Sequence, residues 1–318
     1  MRPLRTVVAR CPLCGREPTV EHARGKDFEY GSTGDTEWTL RRCATCDVIS
    51  LSPRPDEVEL PVIYPSNYYA YDFAATRSVG YRIKDWLDRQ AAKAYLRAAP
   101  PGGNVLDVGC GDGRLLRILR ARGVPRERLF GVELDEHAVA AARADGFQVV
   151  QGRFEEADLP AGTFGLIVLQ QVIEHVPDPR NMIRRLRELL VPGGALVIET
   201  PNTRSWDHRL FSRRHWGGYH IPRHFHLFDD RSLPALLRNT GLRVTRVDAL
   251  ASPNFWIQSL HHRSAESGLP KAWVRLFQPH PPRFLPLAVF SALDGLGKLA
   301  RVTSNMRVVA IREGNPPC

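Results

Sequence analysis

The chain of 318 residues holds no apolar run near the roughly 18 to 20 residues that a membrane-spanning helix needs. This argues against an integral membrane protein. The first ten residues, Met1 to Arg10, have one charged flank and no apolar stretch behind it. A secretory signal is therefore not expected, and a cytoplasmic location is. Internal repeats and low-complexity tracts are absent, which excludes a solenoid or a linker-dominated chain. The pattern G-x-G-x-x-G is missing, which counts against a nicotinamide-dependent oxidoreductase. Cysteine is sparse: of six, four form two C-x-x-C pairs, and Cys110 and Cys318 stand alone. In a reducing compartment such pairs favour metal over disulfides.

What is present suffices for one large core plus a small module, or for two modest domains: 43% of residues are hydrophobic and 25% charged. The net charge is +10, and all of it lies in the last third. Residues 204–318 hold 17 Lys/Arg against 7 Asp/Glu, and eight of the 11 histidines. This surface suits an anionic substrate, a nucleic acid or a membrane face. Lysine supplies only 5 of the 44 basic residues, so an Arg-rich solvated surface is an equal reading.

Three parts are expected: a cysteine module over 1–52, a connector with a helix over 53–100, and an alternating strand–helix region over 101–318. In the third part, short apolar strands over 104–108, 129–132, 147–150, 164–169 and 195–199 alternate with helical patterns, the clearest being Met182, Ile183, Leu186, Leu189 and Leu190. Such alternation predicts an α/β fold, a doubly wound parallel sheet with helices on both faces. An insertion over 251–303 precedes the last strand; core burial, a substrate lid, a dimer surface and a membrane-surface helix are all open for it.

The segment Val105-Leu-Asp-Val-Gly-Cys-Gly-Asp-Gly113 runs from a strand through a glycine turn into a helix. Glycines let a ligand approach the backbone with no Cβ in the way. Asp107 and Asp112 would repel a pyrophosphate, but they suit a cationic amino and sulfonium group. Glu133 ends the next strand 24 positions after Gly109. An acid there can take both ribose hydroxyls, and Asp135 is the better cap for the helix that follows.

With these residues the sequence resembles the class I S-adenosylmethionine-dependent methyltransferases, over about 101–250 and the final strand. The segments that carry the likeness are Val105–Gly113, Gly131–Asp135, Gly152–Glu155, Phe164–Val176 and Leu190–Pro201. The resemblance implies a Rossmann-like, seven-stranded sheet with the last strand antiparallel. It implies that Asp107, Gly109 and Gly111 line the donor's methionine part and that Glu133 binds its ribose; Cys110, Gly113 and Leu134 are expected in the same cofactor site. Many members have Gly-Asp-Ala where this chain has Gly152-Arg-Phe-Glu155. Phe154 is expected beside adenine, Glu155 to accept from its amino group, and Gln170 and Gln171 near the methyl donor.

Cys11, Cys14, Cys43 and Cys46 have the spacing of two zinc knuckles. Four thiolates close a tetrahedral site with no open position, so a structural Zn2+ in a small N-terminal zinc ribbon is expected. The order of ribbon, Tyr-rich connector and methyltransferase domain resembles bacterial enzymes that methylate sugars, glycans or natural products. Tyr64 to Tyr71 in the connector could form a lid or pack between the parts.

An oxygen or carbon nucleophile needs a base, and histidines are the candidates. His224 is favoured as base or orienting group, with His220 next, His175 third, and Arg223 binding an anion. The expected function is methyl transfer to an oxygen or carbon of a small-molecule, sugar or glycan-type acceptor. The alternative is a zinc-ribbon nucleic-acid-binding protein or RNA methyltransferase. The fourth strand does not end in the Asn/Asp-Pro-Pro-Tyr run used on base amino groups, which argues against a nucleic-acid N-methyltransferase. Peripheral membrane contact and an oligomer stay open.

Overall fold

A computed structural model describes residues 2–65, 79–279 and 283–314. Chain order begins with five short strands, β1 (Thr6–Val7), β2 (Val20–Gly25), β3 (Trp38–Arg42), β4 (Ile49–Leu51) and β5 (Arg54–Pro55), then helices α1 (Leu60–Ile63) and α2 (Val79–Ala98). There follow β6 (Asn104–Val108), α3 (Arg114–Arg120), β7 (Leu129–Glu133), α4 (Glu136–Ala144), β8 (Gln148–Gln151), β9 (Phe164–Gln170), α5 (Pro179–Leu189) and β10 (Leu190–Pro201). The remainder is α6 (Trp206–Phe211), β11 (His226–Leu227), α7 (Ser232–Asn239), β12 (Leu242–Leu250), α8 (Pro253–Glu266), α9 (Lys271–Leu276), α10 (Phe284–Ala300) and β13 (Asn305–Arg312).

Seven strands form one sheet in the order β12-β13-β10-β9-β6-β7-β8. The β13 strand runs antiparallel to both neighbours, β10 and β12, while the pairs β10–β9, β9–β6, β6–β7 and β7–β8 are parallel. This is the α/β fold expected. Central strands read as unbroken apolar runs because both faces are covered. In β9, Leu166 and Val168 join the cluster that holds Tyr95, Leu116 and Val139, while Ile167 and Leu169 join the one that holds Met182, Leu186 and Leu236. The helices are started by their own side chains: Asp135 accepts from the Ala138 amide ahead of α4, and Asp178 from Asn181 ahead of α5.

A second sheet has the order β11-β4-β3-β2. Its outer strand comes from the far side of the chain, with His226 paired to Ser50 and Leu227 to Ile49. A third core joins Leu40, Ile49 and Leu51 of this sheet to Trp216, Tyr219, Ile221 and Trp256. An element of residues 101–318 thus completes the sheet of residues 1–52. The 251–303 segment forms the helices α8, α9 and α10. Of the tyrosine run, Tyr64 is described; Tyr68, Tyr69 and Tyr71 lie outside the described residues.

Candidate active site

The turn after β6 carries three glycines in the left-handed region, Gly109, Gly111 and Gly113, with φ of 72°, 52° and 84°. At Gly109 a Cβ would meet Val172 Cγ2 at 2.7 Å, so a larger residue is barred by both conformation and space. Asp107 sits buried at the end of β6. Burial, with Glu133 as a neighbouring charge, holds its carboxyl well above the ordinary value. Glu133 ends β7, which pairs directly with β6. Its carboxylate accepts from the Gly111 amide at 2.9 Å, Leu134 at 2.7 Å and Asp135 at 3.1 Å. Among the described residues, neither Asp107 nor Glu133 forms a salt bridge. Asp112, by contrast, is committed to Arg117 at 2.5 Å and to the Arg114 amide, so it braces the turn.

Around this turn the other expected residues are spread. Cys110 is buried beneath it, and Leu134 is exposed. Phe154 is buried under the Arg185 guanidinium, 5.8 Å from the ring centre. Glu155 is exposed beside Arg153 at 3.7 Å. Gln170 donates to Tyr95 Oη at 3.1 Å and to Glu199 Oε2 at 3.3 Å. Glu199 also takes Arg307 Nε at 2.7 Å and the Tyr95 hydroxyl. Gln171 follows with φ of 55°, a strained conformation for a side chain with a Cβ.

The histidines form a second, buried group. His224 and His175 lie with ring centres 4.5 Å apart, and His220 is 5.0 Å from His224. Nδ1 of His224 faces the Gly218 carbonyl at 2.8 Å, which puts a proton on that nitrogen and leaves Nε2 as acceptor. Nε2 lies 4.0 Å from Glu174 Oε1, an oxygen buried without a hydrogen-bond partner; the other Glu174 oxygen accepts from Thr200 Oγ1 at 2.9 Å. Burial pushes Glu174 up to about 8. Burial lowers His175 to about 3, with His220 adding to it, and holds His224 well below its ordinary value. Both rings are therefore neutral at pH 7. Tyr64 Oη is 2.8 Å from Nδ1 of His175.

This group is held from the N-terminal part. Arg223 is fully buried; its guanidinium grips Asp27 at 2.9 and 3.2 Å and lies 4.5 Å from the centre of the Tyr30 ring. The expectation that Arg223 binds an anionic substrate is corrected by this pair: its charge is already matched inside the protein. His220, with φ of 40°, places Nδ1 2.8 Å from Glu29 Oε1. Sequence reasoning missed Glu174, Asp27 and Glu29. Glu174 was next to His175 in the motif, whereas nothing local signalled the other two.

The four paired cysteines converge. Their sulfurs lie within 4.8 Å of one another, with Cys14 and Cys43 at 3.6 Å. None is in a disulfide. Tetrahedral bonds of about 2.3 Å would set sulfurs about 3.8 Å apart. The two knuckles repeat one backbone pattern: Gly15 N donates to Cys11 O and Asp47 N to Cys43 O, and both residues have positive φ. The tetrad is therefore compatible with a zinc ion.

A family model described as a methyltransferase domain matches residues 40–247. A ubiquinone biosynthesis O-methyltransferase of Aromatoleum aromaticum is 33% identical over 135 residues, 40% of this chain and 53% of that protein. One from Xanthomonas axonopodis is 33% identical over 169 residues, 48% of this chain and 68% of its own length. The chain thus spans about half to two thirds of these relatives. A chain from the complex of the Haloferax volcanii Trm112 methyltransferase activator with a methyltransferase shares the fold, with a TM-score of 0.50 at 19% identity over 74% of this chain and 95% of that one. With two carboxylates and a glycine turn at the ends of two interior strands of a seven-stranded sheet, and a matching model over most of its length, the chain belongs to the methyltransferase-domain family of S-adenosylmethionine-dependent enzymes.

Proposed function

We propose that this enzyme methylates an oxygen or carbon of a small-molecule, sugar or glycan-type acceptor, and that the turn after β6 binds the donor. The observation that carries the donor site is the placement of Asp107 and Glu133 as neighbouring carboxylates at the ends of two adjacent strands, with no salt bridge to either among the described residues. A buried carboxyl whose charged form is disfavoured regains its charge beside a cation. The donor's amino and sulfonium groups are cationic. Asp107, Gly109, Cys110, Gly111 and Gly113 would line its methionine part, Glu133 and Leu134 its ribose, Phe154 and Glu155 its adenine, and Gln170 and Gln171 the side facing the acceptor. When bound, S-adenosylmethionine supplies an electrophilic methyl on sulfur; the protein aligns the nucleophile and takes its proton.

We assign the proton to Nε2 of His224. Its neutral ring has the right tautomer, with Nδ1 held by the Gly218 carbonyl and Nε2 as the accepting nitrogen. His175 and His220 orient the acceptor. The names of the relatives, ubiquinone biosynthesis O-methyltransferases, favour oxygen as the acceptor atom. The paired cysteines hold a structural zinc.

The test pairs two measurements. Calorimetry with S-adenosylhomocysteine should give binding that Asp107→Asn weakens at least about tenfold. A screen of phenolic, sugar and lipid-linked acceptors, read as S-adenosylhomocysteine release, should give turnover that His224→Ala lowers about a hundredfold with product affinity kept. Unchanged affinity in the first variant rejects the donor site. Unchanged turnover in the second rejects His224.

A further inference from the structure

The helices α9 and α10 carry a group of large, exposed apolar side chains. Phe284 is 76% exposed, Leu285 65%, Leu296 59%, Leu299 86%, and Trp273 of α9 54%. On α10, positions 285, 289, 292, 296 and 299 recur at helical spacing and form one outward stripe. The opposite face is fixed. Asp294 accepts from the Ser252 amide at 2.6 Å and from Trp256 Nε1 at 3.0 Å, and Phe290 stacks on Trp256 at 5.4 Å. The apolar stripe is therefore held in place by the inner contacts rather than waiting to fold inward.

The exposed charges of this segment have one sign. Between residues 271 and 301 the basic side chains Lys271, Arg275, Arg283, Lys298 and Arg301 are all exposed, and the single acid, Asp294, is buried. An apolar stripe in a basic surround is complementary to an anionic lipid headgroup layer: the apolar residues enter the acyl boundary and the cations meet lipid phosphates. A mating protein surface would have to supply both a matching apolar groove and an acidic rim, and a second copy of this stripe would bring like charges together. No helix among the described residues is long and apolar enough to cross a membrane, so the contact lies in the membrane plane.

We propose that the α9–α10 face docks on anionic phospholipid and that Phe284, Leu285, Leu296, Leu299 and Trp273 insert. The seat has a direct route to the histidine group. The α8 helix under α10 accepts the Gly217 amide on Ser259 Oγ at 2.8 Å, at the start of the loop that carries His220 and His224. Docking would hold that loop near the lipid surface. This proposal goes beyond the acceptor reading and stands without it.

The experiment is co-sedimentation of the full chain with vesicles of phosphatidylcholine alone or mixed equally with phosphatidylglycerol. The expected result is binding to the mixed vesicles only, weakened by salt. The triple variant Leu285→Ser/Leu296→Ser/Leu299→Ser should bind at least about tenfold more weakly. Lys271→Glu/Arg275→Glu should lose about fivefold or more per position, the factor corresponding to about 1 kcal/mol per basic residue. Both variants alter exposed positions, so their thermal midpoint and S-adenosylhomocysteine affinity should match the parent. Binding indifferent to lipid charge, or unchanged in the triple variant, overturns the proposal. So does a dimer in sedimentation velocity that the triple variant abolishes, with no vesicle binding by the parent.

Discussion

The two halves of the candidate site are built in opposite ways. The carboxylate half is local: Asp107, the three glycines and Glu133 fall within 27 consecutive residues on two adjacent parallel strands. The histidine half is assembled from afar: His220 leans on Glu29, Arg223 on Asp27 and His175 on Tyr64, each across more than a hundred positions. The first half should lose ligand affinity when altered and keep its fold. The second should lose turnover when a histidine is altered, and fold as well when a distant support such as Arg223 is altered.

The largest effect expected is from breaking the cysteine tetrad. A structural zinc contributes on the order of 10 kcal/mol of folding free energy in small domains. Cys43→Ser should lose the metal, lower the thermal midpoint and abolish turnover, read by metal analysis, calorimetry and assay. Full metal content would refute it. Next is Arg223→Met, which leaves Asp27 charged and buried without its partner. The cost should be about 3 to 5 kcal/mol in urea unfolding, and Asp27→Asn/Arg223→Met should recover part of it. An additive double variant would break the comparison, because the pair would then not act as a unit. Glu133→Gln should weaken S-adenosylhomocysteine at least about tenfold, roughly 1.4 kcal/mol, with the unfolding midpoint little changed. A large loss of stability there would erase the distinction between the halves.

The smallest effect is in pH. The buried histidines have folded values below their unfolded ones: His226 and His262 are lowered to about 4, and His175 to about 3, burial being the main cause. Their contribution is present above about 6.5 and is lost as pH falls through about 4. Glu174 has the opposite sign. Its folded value, raised to about 8 by burial, makes its contribution full below about 4.5 and lost as pH rises through about 8. Glu174→Gln should flatten the alkaline limb of stability and leave the acid limb. An unchanged alkaline limb would show that Glu174 does not titrate there.

The same contrast explains what could be read in advance. The parallel sheet and the glycine turn follow from apolar runs of strand length and from residues near one another in sequence, whereas the strand order is read from the folded chain. Asp27 and Glu29 lie between two cysteine pairs, in a stretch of mixed charge with no periodicity, and only the folded chain brings them under His220 and Arg223. Arg223 looked like an anion ligand because its partner sits 196 residues away. The outer strand His226–Leu227 is two residues long, too short to carry an alternating pattern.

That short strand has a consequence for how the protein is made. Ser50 leaves the ribosome 176 residues before His226, the residue it pairs with. The sheet of β2, β3 and β4 is therefore synthesised long before the strand that completes it. Until residues 220–227 emerge, Asp27 lacks Arg223, Glu29 lacks His220 and β4 is an open edge. A nascent chain arrested before that point should be protease-sensitive in its first third, however much of the large sheet has already formed.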